Sequence, residues 1–72
     1  MLQDINIGVF REAIVIRREV LGISRVELSE ESGVSESTIK RFEHTGRITL
    51  ENYMRIAKVL GVEINVYYSG SK

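Results

Sequence analysis

The sequence predicts a small all-α domain of four to five helices with a short C-terminal β-strand. Apolar residues recur at helical spacing over most of the chain. Serines and threonines stand where helices should begin, and glycines stand where they should end. After Gly61 the pattern changes to the apolar–polar alternation of a strand. At 72 residues, the chain is expected to form a single domain over residues 1–72 with a small core.

The composition excludes several kinds of protein. The chain has no cysteine, so neither a disulfide nor a thiolate metal site can hold it together, and its one histidine cannot build a metal site. There is no run of about 18 apolar residues, and the N-terminus lacks the basic start and apolar core of a signal peptide. We therefore expect a cytoplasmic protein without a membrane segment, a metal or a cofactor.

The formal charge is balanced, because ten basic and ten acidic residues cancel. Nucleic-acid-binding domains are usually basic overall, so this balance argues mildly against such a function. A neutral protein can nevertheless carry one basic face. The basic residues in or beside residues 24–43 are Arg25, Lys40, Arg41 and Arg47.

Two longer helices flank this central stretch. The first is predicted from about Ile7 to Leu21, where Gly22 ends it. The other is predicted from about Leu50 to Leu60, with Thr49 as its N-cap and Gly61 as its end. The residues expected to face inward are Phe10, Ala13, Ile14, Arg17, Val20 and Leu21 of the first helix and Leu50, Tyr53, Ile56, Ala57 and Leu60 of the other.

Residues 24–43 are the most informative part of the chain. Ser24 is a good N-cap, and Glu27 three residues later completes a capping box. Gly33 can adopt the positive φ needed where the chain reverses, and Ser35 caps the next helix. Two short helices joined by such a tight turn have the spacing of a DNA-binding helix-turn-helix.

Small and apolar residues in this stretch are consistent with the same unit. Ser29 supplies the small residue needed where the two helices cross, and Leu28, Val34 and Ile39 would lock the helices together. Ile39 and Phe42 form the inward side of the second helix. Two packed helices of an ordinary bundle are the alternative interpretation. The coincidence of turn, crossing residue, caps and apolar residues favours DNA binding.

Residues 8–62 resemble the lambda repressor/Cro family, also called the XRE family. The segments that carry the resemblance are Gly22-Ile23-Ser24-Arg25, Leu28-Ser29, Gly33-Val34-Ser35, Ser37-Thr38-Ile39, Phe42-Glu43, Leu50-Glu51-Asn52-Tyr53 and residues 56–62. Arg25 and Ser29 depart from the glutamine and alanine that are common in the family. The resemblance implies a lambda repressor-like fold that binds double-stranded DNA.

The resemblance places base contacts on the exposed face of the second helix of the motif. Arg41 could bind guanine bidentately, and Ser37 is compatible with more than one base. Glu36 could accept a hydrogen bond from a cytosine amine, although an acidic residue in a first helical turn also stabilises the helix itself. Thr38 is either a phosphate or thymine-methyl contact or a plain surface residue.

Phosphate contacts are expected around this reading face. Arg25 at the start of the first helix of the motif, Ser35 before the second, and Lys40 are well placed for them. Arg47 falls in the predicted loop of residues 44–48, where it is either a further phosphate contact or a solvated charge.

Arg18 and Glu43 resemble an ion pair that ties the first helix to the end of the recognition helix in this family. Such a pair would orient the recognition helix without touching DNA. If it is partly buried, removing one partner leaves the other charge stranded.

The strand pattern covers residues 62–68, with Val62, Ile64, Val66 and Tyr68 as its apolar positions. A lone strand needs a partner. Pairing with the same strand of a second copy would form an intermolecular ribbon and therefore a homodimer. The alternatives are an extended tail packed on the first helix and edge pairing with residues 2–7.

These observations predict a sequence-specific transcription regulator that binds a palindromic operator in double-stranded DNA as a homodimer, in the simplest case as a repressor. The neutral charge and the strand-forming tail motivate an alternative, an antitoxin or adaptor whose main partner is another protein such as a toxin. An enzyme has little support, because the sequence has no nucleophile–base pair and no glycine-rich phosphate loop.

Overall fold

The computed structural model describes residues 4–6 and 8–63, with side chains from Phe10 onward. The elements in this part are β1 (Asp4–Asn6), α1 (Gly8–Leu21), α2 (Arg25–Ser32), α3 (Glu36–Thr45), β2 (Arg47–Thr49) and α4 (Leu50–Leu60). The four helices dominate the described residues, which confirms the predicted all-α class. No helix in this part combines the length and the apolar character needed to cross a membrane.

The predicted helix caps are confirmed. The Glu27 N–H donates to the Ser24 hydroxyl at 3.0 Å, and the Ser24 N–H donates to the Glu27 carboxylate at 2.8 Å, which is a complete capping box. Ser35 caps α3, and Thr49 caps α4 by accepting from the Asn52 N–H at 3.1 Å. Local sequence signals therefore fix where α2, α3 and α4 begin.

Gly33 is the residue on which the turn between α2 and α3 depends. Its φ of 79° lies in the left-handed region, and its N–H donates to the Ser29 carbonyl at 3.0 Å. The nearest atom to an added Cβ would be on the Arg55 side chain, 3.9 Å away, so space is not limiting.

We expect Gly33→Ala to lower the free energy of unfolding by about 1 kcal/mol, because an L side chain is strained at this φ. Chemical denaturation followed by circular dichroism would measure the loss. Gly33→Asn is the control, since asparagine tolerates the left-handed region better than alanine does. Equal losses for the two variants would argue against a backbone origin.

One cluster of buried residues holds the helices together. Its members are Ile14, Leu28, Val34, Ile39, Phe42, Ile48, Tyr53, Ile56, Ala57 and Leu60. The predicted packing of Leu28, Val34 and Ile39 between α2 and α3 is confirmed. The rings of Phe42 and Tyr53 meet edge to face with their centroids 5.9 Å apart. Burial raises the pKa of the Tyr53 hydroxyl, which keeps this core side chain neutral.

The predicted inward face of α1 is confirmed only in part. Ile14 is fully buried, and Phe10 and Arg17, although partly exposed, contact the Tyr53 ring and the Leu60 carbonyl of α4, whereas Ala13, Val20 and Leu21 are exposed. The physical reason is that α1 packs on α3 and α4 through a narrow side, and no described element covers the rest of its apolar stripe. Leu50 is likewise exposed, although it was expected on the inward face of α4.

The predicted loop of residues 44–48 is also corrected. Helix α3 continues to Thr45 and ends at Gly46, whose φ is 80°. The chain then forms β2, which pairs antiparallel with β1 in the register Asp4↔Thr49, Ile5↔Ile48 and Asn6↔Arg47. Ile48 is buried in the core, and a β-branched residue suits this extended backbone. A strand of three residues is too short to show an alternating pattern in the sequence.

The predicted C-terminal strand is described only at its start. Val62 and Glu63 follow α4 without regular secondary structure, and the Val62 N–H donates to the Ala57 carbonyl at 2.9 Å. Residues 64–68, including Ile64, Val66 and Tyr68, lie outside the described residues. The ribbon between two copies therefore stays a prediction.

Candidate nucleic-acid interface

Helix α3 has one buried face and one exposed face. Ile39 and Phe42 are fully buried and hold the helix against the core. Its exposed residues are Glu36, Ser37, Lys40, Arg41, His44 and Thr45. The side chains predicted to address bases therefore lie together on the surface.

His44 belongs to this exposed face, although the sequence placed it in a loop. It lies in the last turn of α3, at i+4 from Lys40 and i+7 from Ser37, so the three share one stripe of the helix. The end of α3 is also held from α1, because Arg11 Nη1 donates to the His44 carbonyl at 3.3 Å. The helical spacing could have revealed this position if the predicted helix had been extended by two residues to Thr45.

Three hydroxyl groups lie at the N-terminus of α3. The Ser35 hydroxyl accepts from the Thr38 N–H at 3.2 Å and donates to the Thr38 hydroxyl at 2.8 Å. The Ser37 hydroxyl lies 3.3 Å from that of Ser35. The positive end of the helix dipole favours an anion here, so the N-terminus of α3 could receive a phosphate.

Arg18 of α1 binds the Glu43 carboxylate on the side of α3 that packs against the rest of the domain. Arg18 Nε donates to Glu43 Oε2 at 2.7 Å, and Arg18 Nη2 donates to Oε1 at 3.1 Å. The side chains are only 12% and 5% exposed, respectively. Arg18 Nη1 also donates to the Ile23 carbonyl at 3.0 Å, so this guanidinium joins α1, the turn before α2, and α3. Such a bidentate pair fixes both orientation and distance.

Arg25 is a second partner of Glu43, which the sequence did not reveal. Its Nε donates to Glu43 Oε1 at 2.8 Å, while 43% of its side chain remains exposed. Two guanidinium groups thus share one carboxylate, and the cluster is positive overall. The predicted phosphate contact of Arg25 therefore competes with an ion pair, which holds the start of α2 against the end of α3.

A shallow pocket brings two of the predicted phosphate contacts together with the predicted ion pair. It is lined by Val15, Arg18, Glu19, Arg25, Lys40, Glu43 and His44. Arg25 and Lys40, which come from different helices, face the same depression. Both are candidate phosphate ligands, and the pocket gives them a common location next to the stripe of α3.

Arg47 lies apart from this pocket. It is exposed on β2, and its backbone N–H donates to the Thr45 hydroxyl at 3.2 Å. The same hydroxyl donates to the Arg41 carbonyl at 2.7 Å. The Thr45 side chain therefore ties the first residue of β2 to the last turn of α3. Both interpretations of Arg47, a phosphate contact and a solvated charge, are compatible with this position.

No cluster of histidine, cysteine, aspartate or glutamate within residues 10–63 could hold a metal ion. The exposed groups on and around α3 are hydroxyl groups, cations, the Glu36 carboxylate and the N-terminus of the helix. Those groups bind phosphates and base edges.

Comparison with known proteins gives one match. A family model described as Helix-turn-helix covers residues 14–67, which is most of the chain. Searches of curated proteins and of solved structures found no match. The matched region contains the whole of α2, α3 and α4, and the family is one of DNA-binding regulators rather than enzymes. The chain belongs to the helix-turn-helix family of the lambda repressor/Cro, or XRE, type.

Proposed function

We propose that this protein is a sequence-specific regulator that places α3 in the major groove of double-stranded DNA and acts as a homodimer. The observation that carries the proposal is the arrangement of α3. Its exposed stripe is polar and basic, while Ile39, Phe42 and Glu43 fix its other side to the rest of the domain. A recognition helix needs both features, because base contacts require a rigid support.

The base contacts come from Glu36 and Ser37 in the first turn of α3 and from Arg41 in its second turn. Arg41 can donate two parallel hydrogen bonds to O6 and N7 of guanine, and Ser37 can donate or accept. Glu36 can accept from the N4 amine of cytosine, and it also disfavours a misplaced phosphate. All three side chains are exposed on the same helix.

The phosphate contacts come from its surroundings. Lys40 and Arg25 line one pocket, the hydroxyl groups at Ser35 and Thr38 lie at the helix N-terminus, and Arg47 follows the helix. Because the chain has no net charge, bulk attraction to DNA is weak. Affinity therefore depends on these few placed groups and on binding two half-sites at once.

The homodimer follows from the size of the domain. One recognition helix offers too small an interface for tight specific binding, whereas two copies about one helical turn apart read a palindromic operator. Repression by occupying a promoter is the simplest mechanism for such a protein.

A second candidate is an antitoxin or adaptor whose main partner is another protein, such as a toxin. The exposed apolar side chains of α1 and α4 favour it, because contiguous apolar surface marks sites of protein association. Copurification of a second polypeptide at fixed stoichiometry would support this candidate.

Arg41→Ala should weaken binding to the specific operator about 10- to 100-fold and relax the preference at one base position, because one bidentate base contact is lost. A mobility shift with the upstream region of the protein's own gene, over a range of salt concentrations, measures this. Lys40→Ala should instead weaken binding evenly on all sequences and lower the salt slope by about one.

Arg55→Ala is the matched control, because it removes an exposed arginine from α4 rather than α3. It should leave the preference for the operator unchanged. Binding that is insensitive to both Arg41→Ala and Ser37→Ala at every salt concentration would rule out α3 as the recognition helix.

A further inference from the structure

Exposed apolar side chains are concentrated on two helices. On α1, Ala13, Ile16 and Val20 recur at i, i+3 and i+7, and Val20 is 70% exposed. On α4, Leu50 and Met54 are exposed one turn apart. Six of the seven large apolar side chains exposed in the described part lie on α1 or α4, and four of these, Ile16, Val20, Leu50 and Met54, belong to the two stripes.

The two helices run side by side in the same direction. The ring centroids of Phe10 and Tyr53 are 5.9 Å apart. About two turns further along both helices, Arg17 Nε donates to the Leu60 carbonyl at 2.9 Å. The position of a residue along the axis of one helix can therefore be compared directly with positions along the other.

The exposed stripes flank the seam between these helices on the same side of the molecule. On α1, Phe10 and Arg17 form the stripe that contacts α4. Around the helix, this stripe lies between the buried Ile14 on one side and the exposed apolar stripe on the other. On α4, the buried Ala57 lies next to the exposed stripe in the same way. We call the five exposed residues of both stripes the α1–α4 surface: Ala13, Ile16, Val20, Leu50 and Met54.

The two edges of the α1–α4 surface carry opposite charge. The α1 edge has Glu12 and Glu19, both exposed and about two turns apart. The α4 edge has Glu51, Arg55 and Lys58. Glu51 and Arg55 neutralise each other at 2.9 Å, which leaves the charge of Lys58. One edge is therefore acidic and the other is basic.

We infer that the α1–α4 surface binds a second copy of this chain, through a two-fold axis parallel to the two helices. This axis lays α1 of one copy on α4 of the other, so that each acidic edge meets a basic edge. A two-fold axis across the helices would instead lay α1 on α1 and bring Glu12 and Glu19 of both copies together, which is repulsive.

One charge contact follows from the positions of the residues along the parallel helix axes. Arg17 of α1 lies level with Leu60 of α4, so Glu19, two residues later on α1, lies about one helical turn further along than Lys58 of α4. In the two-fold dimer the long side chain of Lys58 reaches Glu19 of the second copy, and the contact occurs twice. The biological use of this dimer rests on the proposed function, where it supplies the two recognition helices, but its test needs no DNA.

The first experiment is sedimentation equilibrium of the full chain in the absence of DNA. The wild-type protein should be a dimer at tens of micromolar, and Val20→Glu should be a monomer. Val26→Glu is the matched control, because Val26 is also an exposed valine, 48% accessible, but it lies on α2 outside the surface. Its mass should equal that of the wild type.

The second experiment exchanges charges across the predicted contact. Glu19→Lys and Lys58→Glu should each weaken dimerisation about tenfold, because each variant turns two attractions into two repulsions. An equimolar mixture of these two variants should form a heterodimer of nearly wild-type affinity, since both contacts are then attractive again. Only α1 packed on α4 predicts this rescue.

A monomeric wild-type chain, a dimer that survives Val20→Glu, a control variant that loses the dimer, or a mixture without rescue would each overturn the inference. If residues 64–72 of the same chain occupied the surface, Val20→Glu would lower the melting temperature of a monomer, which also overturns it. Loss of the dimer in Val66→Glu but not in Val20→Glu would favour the C-terminal ribbon. The proposed function is tested separately, because a monomer still binds a half-site through α3 and Arg41→Ala reports on that contact.

Discussion

Arg18→Ala should lower the free energy of unfolding by about 2–4 kcal/mol and the melting temperature on the order of 10–20 °C. Glu43 is only 5% exposed, and Arg18 supplies two of the hydrogen bonds to its carboxylate. Without Arg18, the ion pair between that carboxylate and Arg25 remains among the described residues, and the Arg25 side chain is 43% exposed. The cost is mainly that of a stranded charge, so it exceeds what the pair contributes to the native state.

Thermal denaturation followed by circular dichroism measures this loss, with Arg55→Ala as the control. The Glu51–Arg55 pair has the same chemistry, but both side chains are more than half exposed, so its loss should cost less than about 1 kcal/mol. A melting temperature of Arg18→Ala equal to that of the wild type would contradict the structural role of the pair.

The same variant should weaken DNA binding at temperatures where it is still folded. Glu43 lies one turn after Ile39 on α3, and Arg18 ties it to α1 and to the Ile23 carbonyl. Releasing that tie lets α3 change its angle to the rest of the domain, which misplaces Arg41 and Ser37 relative to the bases. Arg25→Ala should have a smaller effect on stability, because its side chain is nearly half in water.

The helix-turn-helix could be predicted from sequence because its signals are local. Ser24 with Glu27 starts α2, Gly33 ends it, and Ser35 starts α3, each through contacts within four residues. The Arg18–Glu43 contact came from family resemblance rather than from spacing. The Arg25–Glu43 bond was missed, because nothing in the sequence tells which exposed cation lies beside a distant carboxylate.

Periodicity also failed to show what covers an apolar stripe. Ala13, Val20 and Leu50 follow helical spacing as core residues do, yet they are exposed in the described structure. Apolar residues at helical spacing indicate only that one face of the helix becomes buried. A second copy of the chain can bury that face as well as another part of the same chain can. The sequence therefore predicted a core face on α1, whereas the proposed dimer buries part of this apolar surface against a second copy.

Phe42→Ala should cost about 3–5 kcal/mol, because it removes a fully buried ring and leaves a cavity behind the recognition helix. The ring also loses its edge-to-face contact with Tyr53, at a centroid distance of 5.9 Å. Domains have roughly 0.05–0.15 kcal/mol of stability per residue, which is about 4–11 kcal/mol for a 72-residue chain, so this loss removes a large part of the stability. We expect a melting temperature far below that of the wild type and a substantial unfolded population at 37 °C.

Phe42→Leu separates the loss of packing from the loss of function, because leucine keeps much of the volume and should cost about 1–1.5 kcal/mol. This variant should stay folded and retain its preference for the operator. A saturating operator duplex, at about 100 times the dissociation constant, should then return roughly 2.7 kcal/mol of stability, which would be seen as a higher melting temperature. Equal stabilities of Phe42→Ala and Phe42→Leu would show that Phe42 does not support α3. Stabilisation by a scrambled duplex as strong as by the operator would show that the folded domain does not read sequence.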